Sequence, residues 1–445
     1  MRQYYYFKRI AIAAFMFIGA LAMTSCDDDS AGTKRRAIDP TVDTHPTQSE
    51  ALSANAQKAK LQEVGTTLLR EIDANDFKPI VDEYLELRND LRANDASEIF
   101  NKLSEFMSLV IQDDEQYAAK GMLTAVLKKG YPEALWDFSQ FTGHFTLDRA
   151  KKQWVMEKAN DLRFVYPDPK GNTLALNVAI TGKKTPVHIG PIYLRRFNIP
   201  FDNTLVVPED VKATLTLNGR TLIELEIETD LSLATANPNF TTDKLSFEAE
   251  LTVGNYKVEL DRLSYAPGAG INVELELKKN GKDLVTMKAT QAGTITESFD
   301  KLNEGNIFID LLGKVQVAGH TNNTSELIQT FLPSATKAIN EAETNEAEIK
   351  QIANKFNENL DLKLYYNYDP TEQAKLTMEA YDSEGWSIRP MINFYDGSKA
   401  VTLQQFFNPS DYSNLLAGVK SLIENFRALF DTGEKVYVPD EDYIR

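Results

Sequence analysis

Residues Leu245 to Val253 read LSFEAELTV, so Leu245, Phe247, Ala249, Leu251 and Val253 alternate with Ser246, Glu248, Glu250 and Thr252. An unbroken period of two describes a strand with one oily face and one wet face, and it argues against a helix there. INVELELKK repeats the pattern, with Ile271, Val273, Leu275 and Leu277 set against Asn272, Glu274 and Glu276. One-sided strands belong to antiparallel sheets, because strands of parallel sheets are buried on both faces and read as continuous apolar runs. The alternation extends with turn residues from about Gly143 to Gln291.

Register follows from the same requirement, since opposed residues in a hairpin share a face. A two-residue loop at Gly254-Asn255 pairs Val253 with Tyr256, Leu251 with Val258 and Ala249 with Leu260. At Asn218-Gly219 a two-residue loop would set Ala213 against Glu224. Taking Arg220 into the loop pairs Leu215 with Ile223, Ala213 with Leu225 and Val211 with Ile227. The same choice at Asn280-Gly281-Lys282 pairs Leu277 with Val285, Leu275 with Met287 and Val273 with Ala289. Both Asn-Gly turns are therefore predicted to be three-residue loops with a left-handed glycine.

From Ala51 to about Lys129 the apolar period is helical. Leu61, Val64, Leu68 and Ile72 share one face, as do Ile80, Tyr84, Leu87 and Leu91. Ile99, Leu103, Phe106 and Val110 form a third set behind an Asp95 N-cap, and Leu123, Val126 and Leu127 a shorter fourth. Short polar breaks such as ANDFKP predict antiparallel neighbours in a small bundle. Beyond the hairpins come a strand near Lys314–Gly319 and a helical stretch from Ser325 to Asn359, interrupted near Pro333. The strands LDLKLYYNYD, AKLTMEAYD and SIRPMINFYDG follow. The last helix, DYSNLLAGVKSLIENFRALF, carries Leu415, Val419, Leu422, Phe426 and Leu429 on its apolar side, and is expected on the sheet's oily face. The predicted fold class is α+β. A helical bundle (51–135) precedes an antiparallel meander sheet with one apolar face (136–320), and an α/β C-terminal region (321–445) covers that sheet with helices.

The N-terminus has a separate logic. Arg2, Lys8 and Arg9 precede the uncharged run Ile10–Ala22 and the small residues Thr24 and Ser25. This run is too short to span a bilayer and has the anatomy of a signal peptide, residues 1–25. Cys26 is the only cysteine, and MTSC resembles the bacterial lipobox. The resemblance implies that the thiol is diacylglycerated, that cleavage leaves Cys26 first, and that its amine is acylated. A buried free cysteine fits badly beside Asp27, Asp28 and Asp29, whose charges could not be buried unpaired. The three aspartates admit three readings: a surface-export tag, an inner-membrane retention signal, or a solvated charge run. With Cys26 acylated no disulfide can form, so the core must hold the fold. Residues 26–50 are poor in apolar side chains and read as a flexible acidic tether of ~25–30 Å reach.

Removing residues 1–25 takes away three basic side chains, leaving 45 Lys and Arg against 65 Asp and Glu, a net charge of −20. Such a surface repels phosphates, and nucleic acid is excluded as a partner. Anionic headgroups are repelled too, so the membrane is engaged through the lipid anchor.

Catalytic motifs are sparse. His45 lies in the tether, and His144, His188 and His320 show no paired metal-ligand spacing, which leaves no zinc pattern. No Gly-x-Ser-x-Gly elbow occurs. Gly268-Ala269-Gly270 precedes a strand rather than a helix, so it reads as a loop and not a dinucleotide fingerprint. Glu224, Glu226 and Glu228 alternate on a wet strand face, and HTNNTSEL reads as a helix cap. Trp136, Trp154, Trp386, Tyr365, Tyr366 and Tyr368 are read as core before carbohydrate platform. No cofactor, metal or catalytic residue is assigned, and Cys26 is the one site residue.

FTGHFTLDRAKKQWVMEKANDLRFVYPDPKGN and MINFYDGSKAVTLQQFFNP resemble segments of long, uncharacterised lipoproteins of gut-type Gram-negative bacteria. That resemblance carries over no functional residue beyond Cys26. The expectation is a non-enzymatic binding or scaffolding lipoprotein anchored in the outer membrane and exposed at the surface; the periplasmic face and the inner membrane are the alternatives. Two rivals stand beside it: a carrier of a hydrophobic ligand between sheet and helix, and a carbohydrate-active enzyme with two facing carboxylates beside an aromatic. A hydrophobic or a glycan ligand is thus the expected partner.

Overall fold

The structure, a computed structural model, describes residues 51–110, 133–194, 199–296, 298–330, 345–382 and 386–430. Cys26, the signal peptide, the tether with His45, and the helix expected over Leu123, Val126 and Leu127 lie outside the described residues.

The strands are β1 (Glu133–Trp136), β2 (Gly143–Asp148), β3 (Gln153–Glu157), β4 (Leu162–Pro167), β5 (Thr173–Leu194) and β6 (Ile199–Leu217). They continue as β7 (Arg220–Ser232), β8 (Lys244–Val253), β9 (Tyr256–Ala266), β10 (Gly268–Lys279), β11 (Lys282–Gly293) and β12 (Leu302–Leu311). The last are β13 (Val315–Thr321), β14 (Leu360–Tyr366), β15 (Ala374–Asp382), β16 (Trp386–Phe394) and β17 (Val401–Thr402). All seventeen belong to one sheet. From β4 onward each strand pairs antiparallel with its successor, giving a continuous meander. Two parallel pairings make the sheet mixed: β2 beside β4, and β1 beside the stretch of β6 that β7 does not reach.

Every opposed pair inherits the alternation. One row of facing residues runs from Ile180 on β5 through Ile227, Leu260, Met287 and Val317 to Phe394 on β16, and all twelve of its side chains are apolar. Its partial cover is helical. The helices are α1 (Ala54–Glu71), α2 (Lys78–Ala93), α3 (Ser97–Val110), α4 (Glu346–Asn359), the single turn α5 (Leu403–Phe406) and α6 (Ser413–Phe430). Ile80, Leu87 and Ile99 of α2 and α3 close over Phe145, Leu147, Trp154 and Tyr166. Phe145 and Leu147 are all but sealed from solvent, and burial of this kind is worth ~1.5–3 kcal/mol per side chain. Val64 and Leu61 of α1 pack on Val315, Tyr366 and Leu364. Phe356 of α4 packs on Leu360, Leu362 and Met378. The fully buried Gln57 ties α1 to the sheet by donating to the carbonyls of Leu52 (2.8 Å) and Gln373 (2.9 Å).

This corrects the expected fold class. The body is one large mixed sheet with a few helices toward its ends, not a helical bundle followed by a separate antiparallel sheet. The helical stripes face a core only in part, since Tyr84 and Leu103 stay exposed, and that core is the sheet: an oily strand face leaves more area to bury than three short helices can offer each other. Nor does the sheet stop at His320, since β14 to β17 extend it. The final helix also differs from expectation. α6 lies on α1 and α2, with Leu415 against Gly65, Leu69 against Gly418 and the Phe426 ring 5.3 Å from that of Phe77.

The Asn-Gly registers agree with expectation while the loops do not. Leu215 faces Ile223 and Leu277 faces Val285, but Leu217 also faces Arg220 and Lys279 faces Lys282. Each turn is thus a two-residue loop with both residues left-handed, Asn218 and Gly219 at φ 51° and 80°, Asn280 and Gly281 at 51° and 73°. The odd residue is absorbed as a bulge at Leu222 and Leu284, both buried. A primed turn matches strand twist, and the bulge buries a leucine that a three-residue loop would leave exposed.

Candidate functional site

The wet face is not uniform. One row of it reads Glu226, Glu250, Glu259 and Glu276 in direct opposition across β7 to β10. Like charges so placed repel, and lysines reaching in from the next row relieve them. Lys257 sits 2.8 Å from Glu250 and also pairs with Glu259, while Lys278 sits 2.5 Å from Glu276 and also pairs with Glu259. Burial pushes the Glu259 carboxyl up, yet Lys257 and Lys278 together hold it below the ordinary carboxylate value.

Further along the strands a second row carries almost no charge: Ser246, Ser264, Asn272, Thr290 and Asn306, facing one another across β8 to β12. Asp230 and His320 continue it on either side. All of these but His320 line a cleft of about 450 Å³, within the size range of small-molecule sites. Ala266 and Ala269 form its apolar wall, and the buried Tyr265 beneath them has its hydroxyl held by the Phe240 carbonyl and the Ile295 amide (3.1 Å). Gly270 brings β10 against β11: at φ 92°, an added Cβ would land on the Gln291 carbonyl. The stretch expected to be a loop at Gly268-Ala269-Gly270 is therefore the start of β10, where glycine allows a close backbone approach.

Thr290 is 2 % exposed and its hydroxyl has no hydrogen-bond partner among the described residues. On the far side of the row, Asn306 Oδ1 meets His320 Nδ1 at 2.7 Å, and His320 Nε2 meets Asn322 at 2.8 Å. The rim holds Lys244 and Arg262 against Asp230 and Glu304, so it is formally neutral in a chain of net charge −17.

Asp230 and Glu304 are the carboxylates of the cleft. They stand on β7 and β12, five inter-strand steps apart, a path of ~24 Å along the sheet. Paired-carboxylate hydrolysis works at ~5–10 Å. Three carboxylates, those of Asp261, Glu274 and Glu276, do converge within 4.8 Å, but Lys288 pairs with Glu274 and Lys278 with Glu276.

Several of the other residues singled out from sequence make structural contacts. His144 bonds Asp161 at 2.8 Å, Glu226 pairs with Lys212 at 2.8 Å, and the Trp136 indole donates to Asn203 at 2.6 Å. Trp154 stacks on Tyr166, Tyr365 and Tyr366 are buried, and Tyr368 lies beside Phe308. In HTNNTSEL, Asn323 caps the Glu326 amide at 3.0 Å. Sequence reasoning missed the uncharged row. Its signal was there: Ser264, Asn272 and Thr290 occupy wet-face positions next to Arg262, Glu274 and Lys288 on their own strands. Among the described residues no helix is long and apolar enough to cross a membrane. The chain matches no protein-family model, no curated protein and no solved structure.

Proposed function

We propose that this is a lipid-anchored protein of the bacterial outer membrane whose sheet serves as a reversible binding surface and not as a catalyst. The anchor rests on MTSC at Cys26 behind a signal-like leader. The binding role rests on one observation above all: the cleft presents a row of hydroxyls and amides, groups that hold a ligand by hydrogen bonds without becoming nucleophile or base unaided. Labelled palmitate should mark the wild type and not Cys26→Ser, which should leave the membrane fraction. Native mass spectrometry of the purified protein against lipid extracts and glycan pools should show a bound species that Ser264→Trp, which fills the cleft, removes. An unlabelled wild type refutes the anchor, and a bound species indifferent to Ser264→Trp refutes the cleft.

The hydrophobic-carrier reading has one observation in its favour. Phe247, Leu251, Leu260 and Leu275 on the oily face are only half-buried. Lipid adducts that survive Ser264→Trp in the same spectra would favour it.

A further inference from the structure

We infer that the cleft takes an extended, neutral β-linked glycan chain laid across the strands, one sugar ring to each strand. This rests on the binding role proposed above and names its ligand. Four features of the site converge on it.

The row Ser246–Ser264–Asn272–Thr290–Asn306 places one uncharged polar side chain on each of five successive strands. Neighbouring strands lie ~4.8 Å apart, so the row offers hydrogen-bonding groups at that repeat along a line perpendicular to the strands. A straight β-1,4-linked chain advances by nearly the same distance per pyranose ring, whereas an α-1,4-linked chain coils out of step.

The chemistry matches as well as the spacing. Serine and threonine hydroxyls and asparagine amides both donate and accept, as sugar hydroxyls do. The rim's two cations and two anions cancel, in contrast to the acidic remainder of the chain, which suits a neutral ligand. Beside the row, Ala266 and Ala269 give the C–H side of a ring an apolar wall.

Thr290 is the independent sign of a missing partner. Buried hydroxyls are normally hydrogen-bonded, and Thr290, a residue of the cleft lining, has no partner for its hydroxyl among the described residues. The inference assigns it a partner from the cleft, either a ligand hydroxyl or a water that a ligand fixes in place. Glu274, the next residue along β10 on the same face, is by contrast already engaged by Lys288.

Calorimetric titration of the detergent-solubilised whole protein with cellohexaose, xylohexaose, mannohexaose and maltohexaose tests the inference. At least one of the straight chains should bind, and maltohexaose should bind at least about tenfold more weakly. Thr290→Val keeps the shape and removes the hydroxyl. It should weaken binding by about tenfold, one hydrogen bond's worth, while the melting temperature stays level or rises because an unpartnered buried hydroxyl has gone. Asn272→Ala should weaken binding similarly. The inference falls if no straight hexaose binds at millimolar concentration, if maltohexaose binds equally well, or if both substitutions leave affinity unchanged. A non-glycan species in the native spectra, lost in Ser264→Trp, would overturn the glycan assignment while leaving the binding role standing; absence of any bound species would overturn both.

Discussion

The helical layer is fastened to the hairpin turns by a cluster around Tyr256, and Tyr256→Phe tests how much that fastening contributes. Tyr256 is 6 % exposed at the start of β9. Its hydroxyl accepts from the Asp73 amide (3.0 Å) and lies 2.8 Å from the Asp76 carboxylate and 2.9 Å from the Glu71 carbonyl, to either of which it can donate. Lys279 bridges to Asp76 at 2.9 Å and Lys282 to Glu71 at 2.8 Å, while the Phe77 ring stacks 5.1 Å away. Phenylalanine keeps the ring and the stack, so the loss is confined to the hydroxyl. A hydrogen bond to a charged acceptor contributes about 1.5–3 kcal/mol, and an amide left without a partner costs about 1 kcal/mol. The expected destabilisation is therefore about 2–4 kcal/mol, or about 3–5 °C in melting temperature for a protein of this size.

The pH dependence separates this account from a packing defect. A hydrogen bond from Lys279 holds the Asp76 carboxyl below the ordinary carboxylate value; burial opposes the shift and Tyr256 adds to it. A folded value below the unfolded one means the stabilisation is present above the unfolded carboxylate value, ~3.9, and is lost as pH falls through the depressed folded value. Calorimetry should then show the gap between wild type and Tyr256→Phe closing in acid, and Tyr256→Phe with Asp76→Asn should couple by ~1 kcal/mol or more. A loss below ~0.5 kcal/mol at neutral pH, or one of equal size in strong acid, would refute the reasoning.

Leu284→Ala, at a fully buried bulge residue, should destabilise by about 2–5 kcal/mol in urea titration, whereas with a three-residue loop Leu284 would face solvent opposite Lys278 and its truncation would cost almost nothing. Gly270→Ala should part β10 from β11 beside the cleft, read as faster hydrogen exchange at Asn272 and Thr290 with the far Asn280-Gly281 turn unaffected. Lys278→Met leaves Glu259 and Glu276 opposed without their shared cation. It should cost about 1–3 kcal/mol at neutral pH, and less as acid protonates the two carboxylates, a trend that chemical denaturation at several pH values would measure.

Much of the sheet was legible because a period of two leaves little choice. Residues that must share an oily face must oppose one another, so Val253 with Tyr256 and Leu215 with Ile223 follow from chemistry before any coordinates. The turn geometry was less legible. Two-residue loop plus bulge and three-residue loop give the same register beyond the turn, and only the burial of Leu222 and Leu284 separates them. The bundle was misjudged for a related reason: an amphipathic stripe records that a face is buried and says nothing about what buries it. The uncharged row was half readable. The hairpins pair Ser246 with Ser264 and Asn272 with Thr290, but joining those pairs needed the bulged contact between β9 and β10.

The sequence by itself determined that the strands have an oily and a wet side, that their hairpins pair in one register, and that a lone cysteine follows the apolar run near the N-terminus. These are local matters, decided by side-chain period and by turns a few residues long. Only the tertiary structure decided that one sheet runs from β3 to β17, that α1 to α3 lie on it, and that five short polar side chains from five strands line up along one cleft. Such alignment depends on contacts between residues far apart in the chain, summed over bulges that each shift the register by one, and no periodicity within a single strand carries that information.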